Sequence, residues 1–227
     1  MPYLLSLFLF TTFSSLFFPK ERIEVKILKS EFIYETAPFP SCHASTLVET
    51  PEGILASWFG GQYERHPDVS IYTSMLQDNT WSTPVLVADG IENKDFRNPT
   101  WNPVLYRNPD SGQIVLFYKE GPNPREWWGL YKTSDDGGKT WSKAVQIPPG
   151  MLGPVKNKSV LLPDGTLLHP SSFETNGIWS MHVETTTKDV QDWKKMKLTM
   201  EISMPSNLPF YLIQMASSNY WPELRSM

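Results

Sequence analysis

Apolar positions along this chain fall in short runs broken by turn-forming residues, the pattern of strands and turns rather than of long helices. Three stretches share one grammar. The first is HASTLVETPEGILASWFGG followed by PDVSIYTSMLQDNTWSTPVLV. The second is TWNPVLYRNPDSGQIVLFYKEG followed by WWGLYKTSDDGGKTWSKAVQI. The third is KNKSVLLPDGTLLHPSSFE followed by GIWSMHVETTTKDVQDWKKMKL. Each predicts strand, short turn, strand, longer loop, strand, turn and a Trp-containing strand. The first turns, Pro51-Glu52-Gly53, Asp110-Ser111-Gly112 and Pro163-Asp164-Gly165, carry hairpin chemistry. Trp81, Trp141 and Trp193 fall at the same place in each unit, about 50 to 60 residues apart, which is the period of propeller blades.

Composition supports this picture. Nine Trp, nine Tyr and twelve Phe stand beside twenty Pro and thirteen Gly in 227 residues, favouring short strands and turns. A net charge of −4 without a long charge run argues against a nucleic-acid surface. Cys42 is the one cysteine, so no intrachain disulfide and no Cys-based zinc site is possible. His43, His66, His169 and His182 are not at metal-motif spacing, and neither a metal nor a cofactor is expected. Residues 1–28 open with an apolar segment from Leu4 to Phe18, short of the roughly 20 residues a membrane span needs. It fits the apolar core of a signal peptide better, although no basic residue precedes it and no small-residue cleavage site follows. Secretion or the secretory-pathway lumen is the expected location, with membrane attachment only through this segment. Asn157-Lys158-Ser159 is the one glycosylation sequon.

The most specified turn is SDDGGKTWS, residues 134–142. Asp136 is expected to cap the turn backbone, Gly138 to take the left-handed conformation and Trp141 to pack beneath the hairpin. Residues 74–81 and the segment around Asp189 to Trp193 read as decayed copies. Ser134, Asp136, Gly138, Thr140 and Trp141 spell SxDxGxTW, which resembles the Asp-box, or BNR repeat, of the sialidase (neuraminidase) superfamily. HASTLVETPEGILASWFGG, WNPVLY and KNKSVLLPDGTLLHPSS also resemble the sialidase-like BNR proteins, so the likeness covers about residues 31–200. It implies an all-β, six-bladed β-propeller, with about three blades in this chain, and exo-acting cleavage of an acidic sugar. On this division residues 29–200 are propeller blades and residues 201–227 a divergent tail. In the resemblance His43 stands where sialidases place a carboxylate-binding arginine. The family's nucleophilic Tyr, its partner Glu and two further arginines come from later blades, so the chain reads as a truncated form.

The Asp-box turns are expected on one face of the disc and the other connections on the opposite face, where propeller ligands gather. That face is expected to collect His43, the loop with Tyr63, Glu64, Arg65, His66 and Asp68, then Asp95, Arg97 and Trp101. Lys119, Glu120, Arg125, Glu126, Trp127, Lys156, Lys158 and Glu174 join them. Arginines grip a carboxylate by two parallel bonds, aromatic faces cover a pyranose, and a carboxylic acid protonates the leaving oxygen. By resemblance the acid is Asp68, with Glu64 second; the alternative for Asp68 is a strand cap. His43 is either a polar contact or base, or a satisfied buried histidine. Arg65, Arg97, Trp101, Lys119, Arg125, Trp127, Lys156 and Lys158 are the candidate sugar contacts. For Arg97 and Arg125 the alternative is surface pairing with Asp95 and Glu126. The reading is a sialidase-like exo-glycoside hydrolase acting on acidic glycans. A polysaccharide lyase using a histidine base on uronic acids and a non-catalytic glycan-binding propeller fragment are the competing readings.

Overall fold

The computed structural model describes residues 25–175, 177–196 and 200–202. The leader expected at residues 1–28 lies outside them except for its last four positions, and the tail at 201–227 except for its first two. The chain divides into two units, Met1–Phe32 and Ile33–Met227. Residues 25–32, the described part of the first, are without strand or helix. Among the described residues no helix is long and apolar enough to cross a membrane.

The second unit is built of antiparallel sheets. The first sheet orders β1 (Ser41–Thr50), β2 (Gly53–Gly61) and β3 (Ser70–Gln77), and the short β4 (Thr80–Trp81) and β5 (Val85–Ala88) both pair with β3. A hairpin of β6 (Ile91–Asn93) and β7 (Phe96–Arg97) leads to the second sheet. That sheet runs in sequence through β8 (Thr100–Arg107), β9 (Ile114–Glu120), β10 (Trp128–Ser134) and β11 (Val145–Gln146). The third holds β12 (Val160–Leu161), β13 (Thr166–Thr175), β14 (Ile178–Thr187) and β15 (Lys194–Lys195), and β16 (Met200–Ile202) also pairs with β14. Each sheet begins at the turn the sequence marked. Thr50 Oγ1 accepts from the N–H groups of Glu52 and Gly53, Asn108 Oδ1 from that of Asp110, and Asp164 Oδ1 from that of Thr166. These side chains satisfy turn backbone that no ladder reaches.

The third unit departs from the expected grammar. Thr175 pairs with Ile178, so β13 and β14 meet in a tight hairpin where a longer loop was expected. The sequence there is Asn-Gly, the strongest short hairpin signal, and Gly177 takes φ +75°. Glu174 therefore lies on a strand, not in a loop. The inner strands share a bulge that periodicity does not announce. Register slips between His43 and Thr46 in β1 and between Trp101 and Val104 in β8, with Ala44 at φ +58° and Asn102 at φ +43°. His43 opposite Phe59 and Trp101 opposite Lys119 are thus equivalent positions.

Packing between sheets is apolar. Leu55, Phe59, Ile71, Leu105, Ile114, Leu116 and Tyr118 join the first sheet to the second. Val104, Val115, Phe117, Ile147, Leu167 and Val190 join the second to the third. Burying each such side chain contributes about 1.5–3 kcal/mol. Ile33, Tyr34, Ala37 and Phe39 cover the remaining face of the first sheet at Ala56 and Trp58.

The 134–142 turn is held as the residue types require. Asp136 Oδ1 accepts from Ser134 Oγ at 2.8 Å and from the backbone N–H groups of Lys139 and Thr140 at 3.1 and 2.9 Å. Its Oδ2 accepts from Thr140 Oγ1 at 2.6 Å. Gly138 sits at φ +92°, where a Cβ would meet Leu55 Cδ2 at 2.7 Å, so glycine both allows the turn and lets it press on the preceding sheet. Trp141 packs against the same inter-sheet cluster. The third sheet repeats the device in decayed form. Thr187 Oγ1 accepts from Gln191 N–H four residues on, and Asn108 of the preceding sheet donates to Asp189 Oδ1 at 2.7 Å. In the first sheet the copy starts at Leu76 and not at Ser74. Leu76 pairs with Trp81, and Ser82 Oγ accepts from Met75 N–H as Ser142 Oγ accepts from Thr133 N–H.

Candidate functional site

Antiparallel order puts the 51–52 and 134–142 turns at one end of the sheets. The 62–69 and 121–127 loops and the connection through residues 89–99 lie at the other end. Between these last three opens a pocket of about 460 Å³. Arg65, Glu92, Phe96, Arg97, Pro122 and Trp128 are among the residues that line it.

Arg97 is the fixed element. Its Nη2 donates to the Asp68 carbonyl at 3.1 Å and to Ser70 Oγ at 3.0 Å, while its Nε is buried without a partner. The alternative for Arg97, pairing with Asp95, is not made; Asp95 lies by Lys94, at 3.7 Å. Arg65, at φ +82° in an exposed turn, reaches the pocket from the facing loop. Two guanidinium groups thus border one cavity.

Two carboxyls that sequence reading did not bring together sit beside it. Glu120 ends β9, a strand buried along its whole length. Burial, together with the hydrogen bond and charge of Glu92, pushes its carboxyl from 4.5 up to about 7, against the opposing hydrogen bond of Asn98. Glu92 lines the pocket and Glu120 lies behind it, so the pair favours binding a proton next to the cavity. The signal in the sequence was an acid one residue beyond the apolar run IVLFY, after Lys119.

The other expected site residues take varied positions. Asp68 Oδ1 lies 2.6 Å from His66 Nδ1 and accepts from Gln62 N–H at 3.1 Å, so it closes its own loop. Glu64 is exposed in that loop. His43 is exposed, with its ring 5.6 Å from that of Phe59, and so is not the satisfied buried histidine. Trp101 is a core residue, 2% exposed, whose Nε1 donates to the Gly121 carbonyl at 2.8 Å. Lys119 does not face an open channel: it is fully buried and its Nζ donates to the Pro154 carbonyl at 2.9 Å. Burial lowers its ammonium to about 7. Lys156 and Lys158 donate to the carbonyls of Ser45 and Leu47, tying the connection into the third sheet to β1. Arg125 pairs with Glu174 at 3.1 Å, not with Glu126, whose carboxylate accepts from Asn123. Trp127 meets Trp101 edge-on at 5.9 Å and lines a second cleft. Among the described residues no group of three His, Cys, Asp or Glu side chains comes together as a metal site.

The chain matches the family model described as BNR repeat-like domain over residues 52–219. No curated protein matches it. A Hadza microbial sialidase superposes with a TM-score of 0.60 at 16% identity, covering 69% of this chain and 37% of that one. The NanB sialidase of Streptococcus pneumoniae gives 0.56 at 12% identity, covering 77% and 46%. Trypanosoma rangeli sialidase in complex with sialic acid gives 0.53 at 13% identity, covering 71% and 31%. The chain spans about a third to a half of the length of these structures. At such identities the likeness establishes the fold, that of the sialidase β-propeller, and the three sheets are its blades.

Proposed function

This chain belongs to the BNR repeat-like domain family, and we propose that its first two blades form the acidic-sugar pocket of a sialidase-like glycoside hydrolase. The observation that carries the reading is one cavity lined by Arg65, Arg97 and Glu92, with the buried Glu120 paired to Glu92 behind it. Arg97 is anchored by Asp68 and Ser70, which orients its fork before ligand arrives. It grips the sugar carboxylate with Arg65. Phe96, which is 56% exposed, and Trp128 offer ring faces to the pyranose. Glu120 keeps a proton at a pH where an ordinary glutamate has lost it, the state needed to protonate a leaving glycosidic oxygen. Sialic acid, bound in the Trypanosoma rangeli structure, is the first acidic sugar to test.

The test is turnover of a fluorogenic sialoside by the full chain, with a melting curve on the same sample. Release of fluorophore, lost in Glu120→Gln at unchanged folding, supports the hydrolase. Saturable binding of sialic acid with no release supports the second reading, a glycan-binding propeller without catalysis. That reading is favoured by His43 standing where an arginine was expected and by the engagement of Asp68 with His66. Neither binding nor turnover by a cooperatively melting chain contradicts both.

A further inference from the structure

The hairpin of β6 and β7 belongs to none of the three blades. Among the described residues its two short strands pair only with each other, Ile91 opposite Arg97 and Asn93 opposite Phe96. Every residue from Ile91 to Phe96 is exposed, while the roots at Gly90 and Asn98 are buried. These roots are pinched together. Asn98 N–H donates to the Gly90 carbonyl at 2.8 Å, and a Cβ on Gly90 would collide with the Asn98 carbonyl. A lone two-stranded hairpin is marginal in water, so its placement depends on what its side chains hold. At its base Arg97 is fixed to the Asp68 carbonyl and Ser70 Oγ. Further out, Glu92 hydrogen-bonds Glu120 of β9. At the tip Asp95 turns inward on the hairpin itself, its N–H to Asn93 and its carboxylate beside Lys94. Glu92, Phe96 and Arg97 all line the arginine pocket.

A hydrogen bond between two carboxyls needs one proton, because an ionised carboxylate only accepts. The two partners are unequal. Glu120 is 7% exposed, set in β9 between Thr100 of β8 and Trp128 of β10. Glu92 is exposed on the hairpin. Once the proton leaves for solvent, two carboxylates face each other and Asp89 of the connection adds a third negative charge. Asn98 hydrogen-bonds Glu120 but brings no charge to offset them. Lys132 of β10 feels Asp89, and its Nζ is taken by the Val87 carbonyl at 2.7 Å. Tyr118 of β9 is pushed above its usual range by burial, then by Glu120 and Asp89, so it stays neutral. Like charges this close repel, and the partner free to move into water is Glu92.

We propose that the β6–β7 hairpin is a lid on the arginine pocket, held shut by the proton shared between Glu92 and Glu120 and released when that proton is lost. Glu120 is held up to about 7, so the lid is shut below that pH and loosens as the pH rises through it. Shut, Phe96 and Glu92 complete the pocket wall. Open, Arg97 stays tied to the first blade while the ring of Phe96 moves away. An acidic sugar then meets the guanidinium without its apolar wall, so its binding weakens above neutral pH although no arginine titrates. This consequence rests on the reading of the arginine pocket above; the lid itself does not.

The experiment is NMR of the isotope-labelled full chain without ligand, from about pH 5.5 to about pH 8.5. The amide resonances of Glu92 to Phe96 are expected to share one titration midpoint with the Glu120 carboxyl carbon. Hydrogen exchange of these amides, corrected for its intrinsic pH dependence, is expected to quicken at least about tenfold, while Leu116 and Phe117 keep their protection. Glu120→Gln sets a neutral donor against Glu92 and is expected to keep the hairpin protected across the range. Glu92→Gln, at an exposed position, removes the same repulsion and serves where Glu120→Gln does not fold. A parent hairpin equally protected throughout, or a pH response that survives both substitutions, overturns the lid. Sialic acid titrated into the parent at both ends of the range is a separate arm. Tighter binding at the acid end supports the gating. Equal affinity at both ends, with a titrating hairpin, overturns it. Binding at neither end removes the sugar reading and leaves the lid.

Discussion

Glu120 and Asp136 are two carboxyls that their surroundings push in opposite directions. Burial and Glu92 raise Glu120 from 4.5 to about 7, so the folded state holds a proton that the unfolded chain releases sooner. Its contribution is complete below pH 4.5 and is lost as the pH rises through 7. Chemical denaturation should therefore show the parent losing on the order of 2 kcal/mol between pH 5 and pH 8. Glu120→Gln should flatten this slope, and an unchanged slope would place the proton elsewhere. Asp136 is held well below its usual range, first by the Thr140 hydroxyl, then by the Thr140 N–H and Ser134. Its contribution is present above its ordinary 3.8 and fades as the pH falls through the lower folded value. Asp136→Ala should lower the melting temperature at neutral pH, and the difference from the parent should shrink in acid. Sialoside binding should be untouched, because the turn lies at the opposite end of the sheets from the pocket.

At the scale of elements, the hairpin turns and the 134–142 turn were legible because short-range rules govern them, caps and positive φ; of the expected Trp-containing strands only β4 holds its Trp, while Trp141 and Trp193 fall just before β11 and β15. Three further features were not legible. The bulges at Ala44 and Asn102 put non-glycine residues at positive φ; asparagine tolerates that region, but nothing local announces it at Ala44. The decayed turn of the first blade starts at Leu76, since Ser82 and the strand pairing, not the look-alike Ser74, set its register. Lys119 ends an apolar run and was expected as a sugar contact; only the connection between the second and third blades, through Pro154, gives it a buried partner. Of the candidate site, Arg65 and Arg97 do border one pocket, but Glu92 with Glu120 needed the fold to meet. Lys119→Met should melt at or above the parent at neutral pH, because replacing a buried cation by an apolar side chain of similar length removes a desolvation cost. A marked fall in melting temperature would show that the Pro154 bond outweighs that cost.

Across the whole molecule, stability and function rest on the same stacking of blades. Leu116 is 0% exposed between the first and second blades, and Leu116→Ala should cost about 2–5 kcal/mol in chemical denaturation. A cost under about 1 kcal/mol would mean that the two sheets are not packed as described. The same interface sets the distance between the loop bearing Arg65 and the connection bearing Arg97, so the pocket exists only while the blades are stacked. The most direct test of the account is calorimetric titration of sialic acid into the full chain, with Arg97→Gln and Arg65→Gln beside it. The account predicts saturable binding by the parent, weakened at least about tenfold by either substitution in chains that still melt cooperatively. Binding that survives both substitutions, or its absence from a folded parent, would contradict it.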